Sequence, residues 1–232
     1  MWVMRPLQIA AQGAVHWVSD LRENYNTLAG FRSENERLRK RIESLEIERQ
    51  KLLEAQAVNN RLKRLLEFRG QLAATSITAS VIANSASSWF KSCVLDKGTN
   101  DGVRKGMAVV TPLGVVGQVI AVTPGTAKVL LVTDANSGID VLVQRTRARG
   151  IVSGSLENGT VLKYIKRSED IQEGDRLITA GTDGVFPKGM MVGTVIKVSK
   201  QHMGLFQSIE VLPAVQSGRI EEVLVVAAER AE

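Results

Sequence analysis

The chain has 232 residues, of which 44% are hydrophobic and 23% charged. That is the balance of a folded protein and argues against long disorder. Thirty basic against 24 acidic side chains leave a net charge of +6, but only 4% of the residues are aromatic, too few for the stacking platforms of a single-stranded nucleic-acid binder. One cysteine, Cys93, excludes an intramolecular disulfide and a multi-cysteine zinc site, and two histidines, His16 and His202, leave little for metal or acid–base chemistry. No catalytic, cofactor or metal site is expected, and the chain reads as a non-enzyme.

Glycine and proline divide the chain. Three of the twenty glycines (Gly13, Gly30, Gly70) precede residue 98, and no proline stands between Pro6 and Pro112. A segment poor in both helix breakers followed by one rich in both reads as helix first, then strands and turns.

Residues 1–27 are expected to be a membrane-proximal segment. Trp2, Leu7, Ile9, Val15, Trp17 and Leu21 are apolar, but Arg5, Gln8, Gln12 and His16 interrupt them. No run reaches the roughly 20 apolar residues needed to cross a bilayer, and no signal-peptide cleavage pattern is present. The two tryptophans suit either a membrane–water interface or a cover over the start of the helix.

Residues 28–72 form the expected coiled-coil dimerisation helix. Counting in sevens, one series is Leu28, Asn35, Ile42, Arg49, Gln56, Lys63, and the other is Phe31, Leu38, Leu45, Leu52, Asn59, Leu66. Moving the frame by one residue recovers Ala55, Val58, Leu62 and Leu65, so the reading includes a register slip near Leu52. Apolar residues at a 3.5-residue period with Glu, Arg and Lys elsewhere specify a coiled coil, and Asn35 at a core position favours two strands in one register. The expected dimerisation residues are Leu28, Phe31, Asn35, Leu38, Ile42, Leu45, Leu52, Leu62 and Leu65. A helix of this length reaches about 60 Å. It is a spacer.

From Ile77 onward the pattern becomes short β-branched runs separated by turns. The expected strands are 77–82, 90–96, 107–111, 115–122, 128–132, 139–144, 150–153, 161–165, 176–179, 191–198, 206–212 and 222–226. Their spacing argues for small barrels or sandwiches rather than alternating strands and helices. There is also an internal echo: VRKGMAVVT at 103–111 matches IQEGDRLIT at 171–179, and GQVIAV at 117–122 matches GTVIKV at 193–198. Two related β modules of similar size are implied. The expected fold is mainly β, with two small tandem barrels over 73–157 and 158–232, with or without strands exchanged between them, behind an N-terminal helical coiled coil.

Other chemistry is weighed against this. A tandem pair of barrels also describes serine proteases, and Ser137 in the turn Asp134–Gly138 with His202 would be the residues of a periplasmic hydrolase with a coiled-coil arm. The histidine follows the serine here, the reverse of the order in that protease class. Cys93, in an alternating strand, reads as an inert half-buried thiol. Arg145, Arg147 and Arg149 could project three guanidinium groups from one strand face towards phosphates, or else form a solvated face. Of the aromatics in the second module, Tyr164, Phe186 and Phe206 are the candidate partner-binding residues. Phe186 is preferred because it falls in the turn Phe186–Gly189.

The succession DKGTNDGVRKGMAVVTPLGVVGQVIAV, LLVTDANSGIDVLVQRTRARGIVSG, EDIQEGDRLITAGTDGVFPKGMMVGTVIKV and the closing VLPAV and EEVLVV resembles the rod shape-determining MreC family over residues 20–228. The resemblance implies an extracytoplasmic scaffold of the bacterial elongation machinery, on the outer side of the inner membrane. Its implied partners are itself, as a parallel dimer or filament, the elongation-specific penicillin-binding transpeptidase, RodA, MreD and MreB. Members of the family carry one transmembrane helix before the coiled coil. No such run occurs in these residues, so the stretch from Trp2 to Trp17 would be the part leaving the membrane.

Overall fold

A computed structural model describes the backbone of residues 5–72, 75–86, 90–155, 159–199 and 205–227, and the side chains of those from residue 34 onward. Helix α1 spans Arg5–Gln71. Pro6 stands in its first turn, where a missing N–H costs nothing, and no later proline interrupts it. Every described side chain from residue 34 to residue 57 is exposed. Among the described residues, no helix is long and apolar enough to cross a membrane.

Residues 61–232 form a unit of their own. Its strands are β1 (Ser76–Ala86), β2 (Lys91–Leu95), β3 (Ala108–Thr111), β4 (Gly114–Val122), β5 (Ala127–Leu131), β6 (Ile139–Val143), β7 (Arg149–Ser155), β8 (Gly159–Lys163), β9 (Arg176–Thr179), β10 (Met191–Ser199), β11 (Ser208–Pro213) and β12 (Glu222–Val226). They close into two antiparallel six-stranded barrels, ordered β1-β12-β3-β4-β5-β2 and β10-β11-β8-β7-β6-β9. Each run expected from the sequence lies on one of these strands.

The two barrels are one pattern used twice. β1 to β5 of the first correspond to β7 to β11 of the second, and every strand pairing in one has its counterpart in the other. Two bulges recur as well: β4 shifts register on β5 between Val119 and Ala121, and β10 shifts on β11 between Val195 and Lys197. Gly106 and Gly174 both take a positive φ, 93° and 91°, and donate their N–H to Val119 O and Val195 O, each at 2.8 Å. Glycine takes that backbone conformation at little cost.

One strand, β12, breaks the chain order. β6 closes the second barrel between β7 and β9, and β12 returns from the end of the chain to close the first between β1 and β3. The boundary expected at 157/158 therefore needs correction, because β6 and β7 belong to the second barrel and β12 to the first. Strands β6 to β11 follow one another and close the second barrel by themselves, whereas β1 to β5 leave two edges unpaired that β12, from the end of the chain, fills.

Val109, Val116, Val119, Val129, Val223 and Val225 point into the first barrel with Cys93 and Leu95. The opposite faces of β3, β4 and β12 are buried too: Ala108, Val110, Val115, Leu224 and Val226 join the cluster that fills the second barrel. Burial on both faces explains why β3 and β12 read as unbroken apolar runs. Burial pushes the Cys93 thiol up to about 11, because a thiolate in an apolar core loses its hydration. It is an inert core side chain.

Candidate interaction surfaces

The last turns of α1 belong to the barrel unit. Leu65 is 4% exposed and sits in the main apolar cluster, with Phe68 and Leu72 packed beside it. A spacing of three residues places Leu65 and Phe68 on one helix face, and Leu72 follows just past the helix end. Leu66, one residue on and about 100° round the helix, is 60% exposed. The expectation that Leu65 serves dimerisation needs correction: it is held by the chain's own barrels and is not free for a partner helix. Leu38, Ile42, Leu45, Leu52 and Leu62 are exposed apolar side chains, and Asn35 is exposed. Leu28 and Phe31 lie on helical backbone, but their side chains, like those of His16 and Trp17, fall outside the described residues, as do Trp2 and His202 entirely.

A charged latch adjoins Leu65. Arg61 Nη1 and Nη2 donate to Glu221 Oε1 (2.9 Å) and Oε2 (2.5 Å). Its Nε lies 2.6 Å from Glu222 Oε2, at ion-pair distance but without hydrogen-bond alignment. The pair ties the helix end to the start of β12. Beside it a groove of about 160 Å³ runs between Arg64, Pro112, Leu113, Val215 and Ile220. Leu113, at the tip of the β3–β4 hairpin, is 70% exposed.

On the second barrel, Tyr164 and Phe206 meet edge to face, with ring centroids 5.8 Å apart and planes at 87°. They are 60% and 46% exposed, and the adjacent Leu205 is 80% exposed. These rings border a depression of about 330 Å³ that also includes Val161, Lys163 and Ile209. The buried Gln207 side chain holds the arrangement, donating from Nε2 to Lys166 O (2.9 Å) and Glu169 O (2.8 Å). Tyr164 has φ 65°, a left-handed conformation that a bulky residue adopts only under constraint. Leu205 was missed in the sequence, although its signal was legible: two large apolar residues, Leu205 and Phe206, directly follow a glycine.

Phe186 is elsewhere. It is 4% exposed and belongs to the core. Asp183 Oδ1 accepts the N–H groups of Val185 (2.9 Å) and Phe186 (3.1 Å), and Thr179 Oγ1 donates to Pro187 O (2.5 Å). These bonds curl the β9–β10 loop inward and drop the ring into the cluster, so being in a turn did not mean being at the surface.

The arginine alternation does not offer three free guanidinium groups. Arg145 grips Asp175 through Nε (2.8 Å) and Nη2 (2.9 Å) and reaches Asp170 through Nη1 (2.6 Å). Arg149 grips Asp140 and Thr182. Only Arg147, at φ 62° in the β6–β7 turn, is left without such a pair among the described residues. Arg145 holds the carboxyls of Asp175 and Asp170 below their ordinary values, and Arg149 does the same to Asp140. Both arginines are thereby neutralised locally, which weakens any phosphate-binding reading. Ser137 likewise has a structural task, since its Oγ donates to Val132 O (2.8 Å) or Asp134 O (2.7 Å). Asp134 is buried and accepts the N–H of Lys91 (2.6 Å) and of Asn136 (2.8 Å). The pair builds a turn.

Comparison with known proteins agrees with this architecture. The sequence model of the family described as rod shape-determining protein MreC, barrel core, matches residues 81–227. The cell shape-determining protein MreC of Cereibacter sphaeroides is 30% identical over 220 residues, covering 95% of this chain and 69% of that protein. Its counterpart in Caulobacter vibrioides is 34% identical over 164 residues, covering 71% of this chain and 47% of that protein. The crystal structure of MreC from Pseudomonas aeruginosa superposes with a TM-score of 0.62 at 34% identity, over 66% of this chain and 99% of that one. With a helix leading into two closed barrels, and with relatives along nearly its whole length, the chain belongs to the rod shape-determining MreC family of cell shape-determining proteins.

Proposed function

We propose that the chain is a non-catalytic scaffold on the extracytoplasmic side of the bacterial inner membrane, pairing through α1 and presenting its second barrel to a peptidoglycan-synthesising transpeptidase. The observation that carries the reading is the exposed pair Tyr164–Phe206 with Leu205 beside it. Two aromatic rings packed against each other at a surface suit the centre of a protein interface, because their mutual contact leaves less side-chain entropy to be lost on binding. A solved complex of PBP2 with MreC from Helicobacter pylori shares the fold, with a TM-score of 0.54 at 19% identity over 66% of this chain and 98% of that one. It makes a transpeptidase the first partner to try. The exposed stripe Leu38, Ile42, Leu45 and Leu52 supports a paired helix, with Leu28, Phe31 and Asn35 extending the same two series. RodA, MreD and MreB are proposed as further partners on family grounds alone.

The test is sedimentation of the chain alone and with the soluble ectodomain of an elongation transpeptidase. Co-sedimentation that is lost in Tyr164→Ala and Phe206→Ala, with an unchanged melting temperature, is the expected result. Binding that survives both substitutions would move the partner site elsewhere.

A further inference from the structure

The exposed apolar patch of Tyr164, Leu205 and Phe206 has a cationic rim. Residues 164–167 and 205–207 run antiparallel: the Gln207 N–H donates to Ile165 O (2.9 Å), the Arg167 N–H donates to Leu205 O (3.2 Å), and Lys166 lies directly opposite Phe206. Cross-strand partners share a face, with Cβ atoms about 5 Å apart. Lys166 therefore stands beside the same Phe206 that meets the Tyr164 ring. Arg167 follows it in the chain, and Lys163, at the end of β8, lines the depression next to the rings. All three cations are exposed.

These cations lack acids. Among the described residues, Asp170 and Asp175 are taken by Arg145, Asp140 by Arg149, and Glu210 by Lys197 at 3.2 Å. Lys163 Nζ has a hydroxyl instead, donating to Ser153 Oγ at 3.4 Å. Glu169 is the only acid within 163–169 and is half-buried, so three positive charges there face one negative charge. A partner that covers the rings also strips water from Lys166 and Arg167. Charges desolvated without counter-charges are costly, and a purely apolar partner would bear that cost in full.

Resting on the reading of this patch as the transpeptidase-facing surface, we infer that its occupant is an acidic protein segment. An apolar side chain of the partner enters the depression between Val161, Tyr164, Phe206 and Ile209, and flanking Asp or Glu carboxylates meet Lys163, Lys166 and Arg167. Lysines beside aromatic rings also suit an anionic bilayer surface. The hollow favours a protein, because one projecting side chain fills a concavity that a flat lipid surface leaves empty. Charges at a rim act mainly on the rate of association, and salt weakens them.

Surface plasmon resonance of the full chain with the soluble ectodomain of an elongation transpeptidase, at low and at physiological salt, tests the inference. Lys166→Glu with Arg167→Glu is expected to slow association about tenfold at low salt, to flatten the salt dependence and to leave the melting temperature unchanged. Lys166→Gln with Arg167→Gln should fall between that variant and the parent. Arg104→Glu with Lys105→Glu makes the same change of net charge at exposed residues before β3, and as the control it should act far less. If reversal at 166 and 167 does no more than the control while Tyr164→Ala and Phe206→Ala abolish binding, the inference falls and the reading of the patch stands. If neither set alters binding, both fall. Sedimentation with phosphatidylglycerol vesicles covers the lipid alternative. Capture that depends on Lys166 and Arg167, with ectodomain binding indifferent to their charge, would assign the rim to lipid headgroups and overturn the inference.

Discussion

Gly117 and Gly193 occupy the same position in the two barrels. Gly117 pairs with Val109 and Leu131, and Gly193 with Leu177 and Pro213. A Cβ on Gly117 would stand 1.9 Å from Leu130 O, and one on Gly193 would stand 2.6 Å from Leu212 O. Both contacts are with backbone, which cannot swing aside. Gly117→Ala should cost about 3 kcal/mol, and Gly193→Ala somewhat less, as read from the midpoints of urea unfolding. Equal and negligible effects would show that the strands yield more easily than their pairing suggests.

Leu65 and Leu66 should separate folding from association. Leu65→Ala removes a side chain from the main core and is expected to destabilise by roughly 2–5 kcal/mol. Leu66→Ala touches an exposed side chain and should leave the unfolding midpoint within about 0.5 kcal/mol. Any loss of dimer in sedimentation should follow Leu66, Leu52 and Leu45 rather than Leu65.

Phe186→Ala should lower the melting temperature, with a loss of about 3–5 kcal/mol for a buried aromatic. Binding of a partner at the second barrel should be unchanged at temperatures where the variant stays folded. Titration calorimetry beside differential scanning calorimetry distinguishes this from the behaviour of Tyr164→Ala and Phe206→Ala.

Asp175 and Asp140 make stability depend on acid. Each carboxyl is held below its ordinary value, first by its arginine. The stabilisation they supply is complete above the ordinary carboxylate range and is lost as pH falls through the lowered folded-state values. Asp175→Asn should therefore melt below the parent at neutral pH, and the gap should close as the pH is brought down through the acid range. A gap that is constant with pH would mean that the loss is one of packing and not of charge.

Cys93, with its thiol pushed up to about 11 by burial, should resist a thiol reagent at pH 8 in the native chain. It should react stoichiometrically once the chain is unfolded in guanidinium. Fast labelling of native protein would place the side chain outside the first barrel.

Much of this could be read from residue order alone. The absence of proline between Pro6 and Pro112 and a seven-residue period dictate a long helix, because periodicity and the absence of breakers are local properties. Short β-branched runs between Asn, Asp and Gly turns dictate the strands for the same reason, and the matched segments at 103–122 and 171–198 announce the duplication. Leu65 within an apolar period was legible as buried, but not what buries it. A helix face records that something apolar covers it, without saying whether the cover is a second copy or the chain's own barrels.

Tertiary structure decided the rest. β12 is a short apolar strand much like β6, so nothing local reveals that it returns from the end of the chain to close the first barrel. That follows from which edges remain unpaired once five strands have joined, a property of the whole sheet. Phe186 and Tyr164 both stand at bends, and sequence ranked the first as the more exposed. The hydrogen bonds of Asp183 and Thr179 turn one ring inward, and the Gln207 staple with the left-handed backbone at residue 164 sets the other outward. The sequence by itself determined the elements and their repetition, through local propensity and period. Partners distant in sequence determined which side chains are buried and which are left to meet another protein, because burial belongs to the assembled surface and not to any one strand.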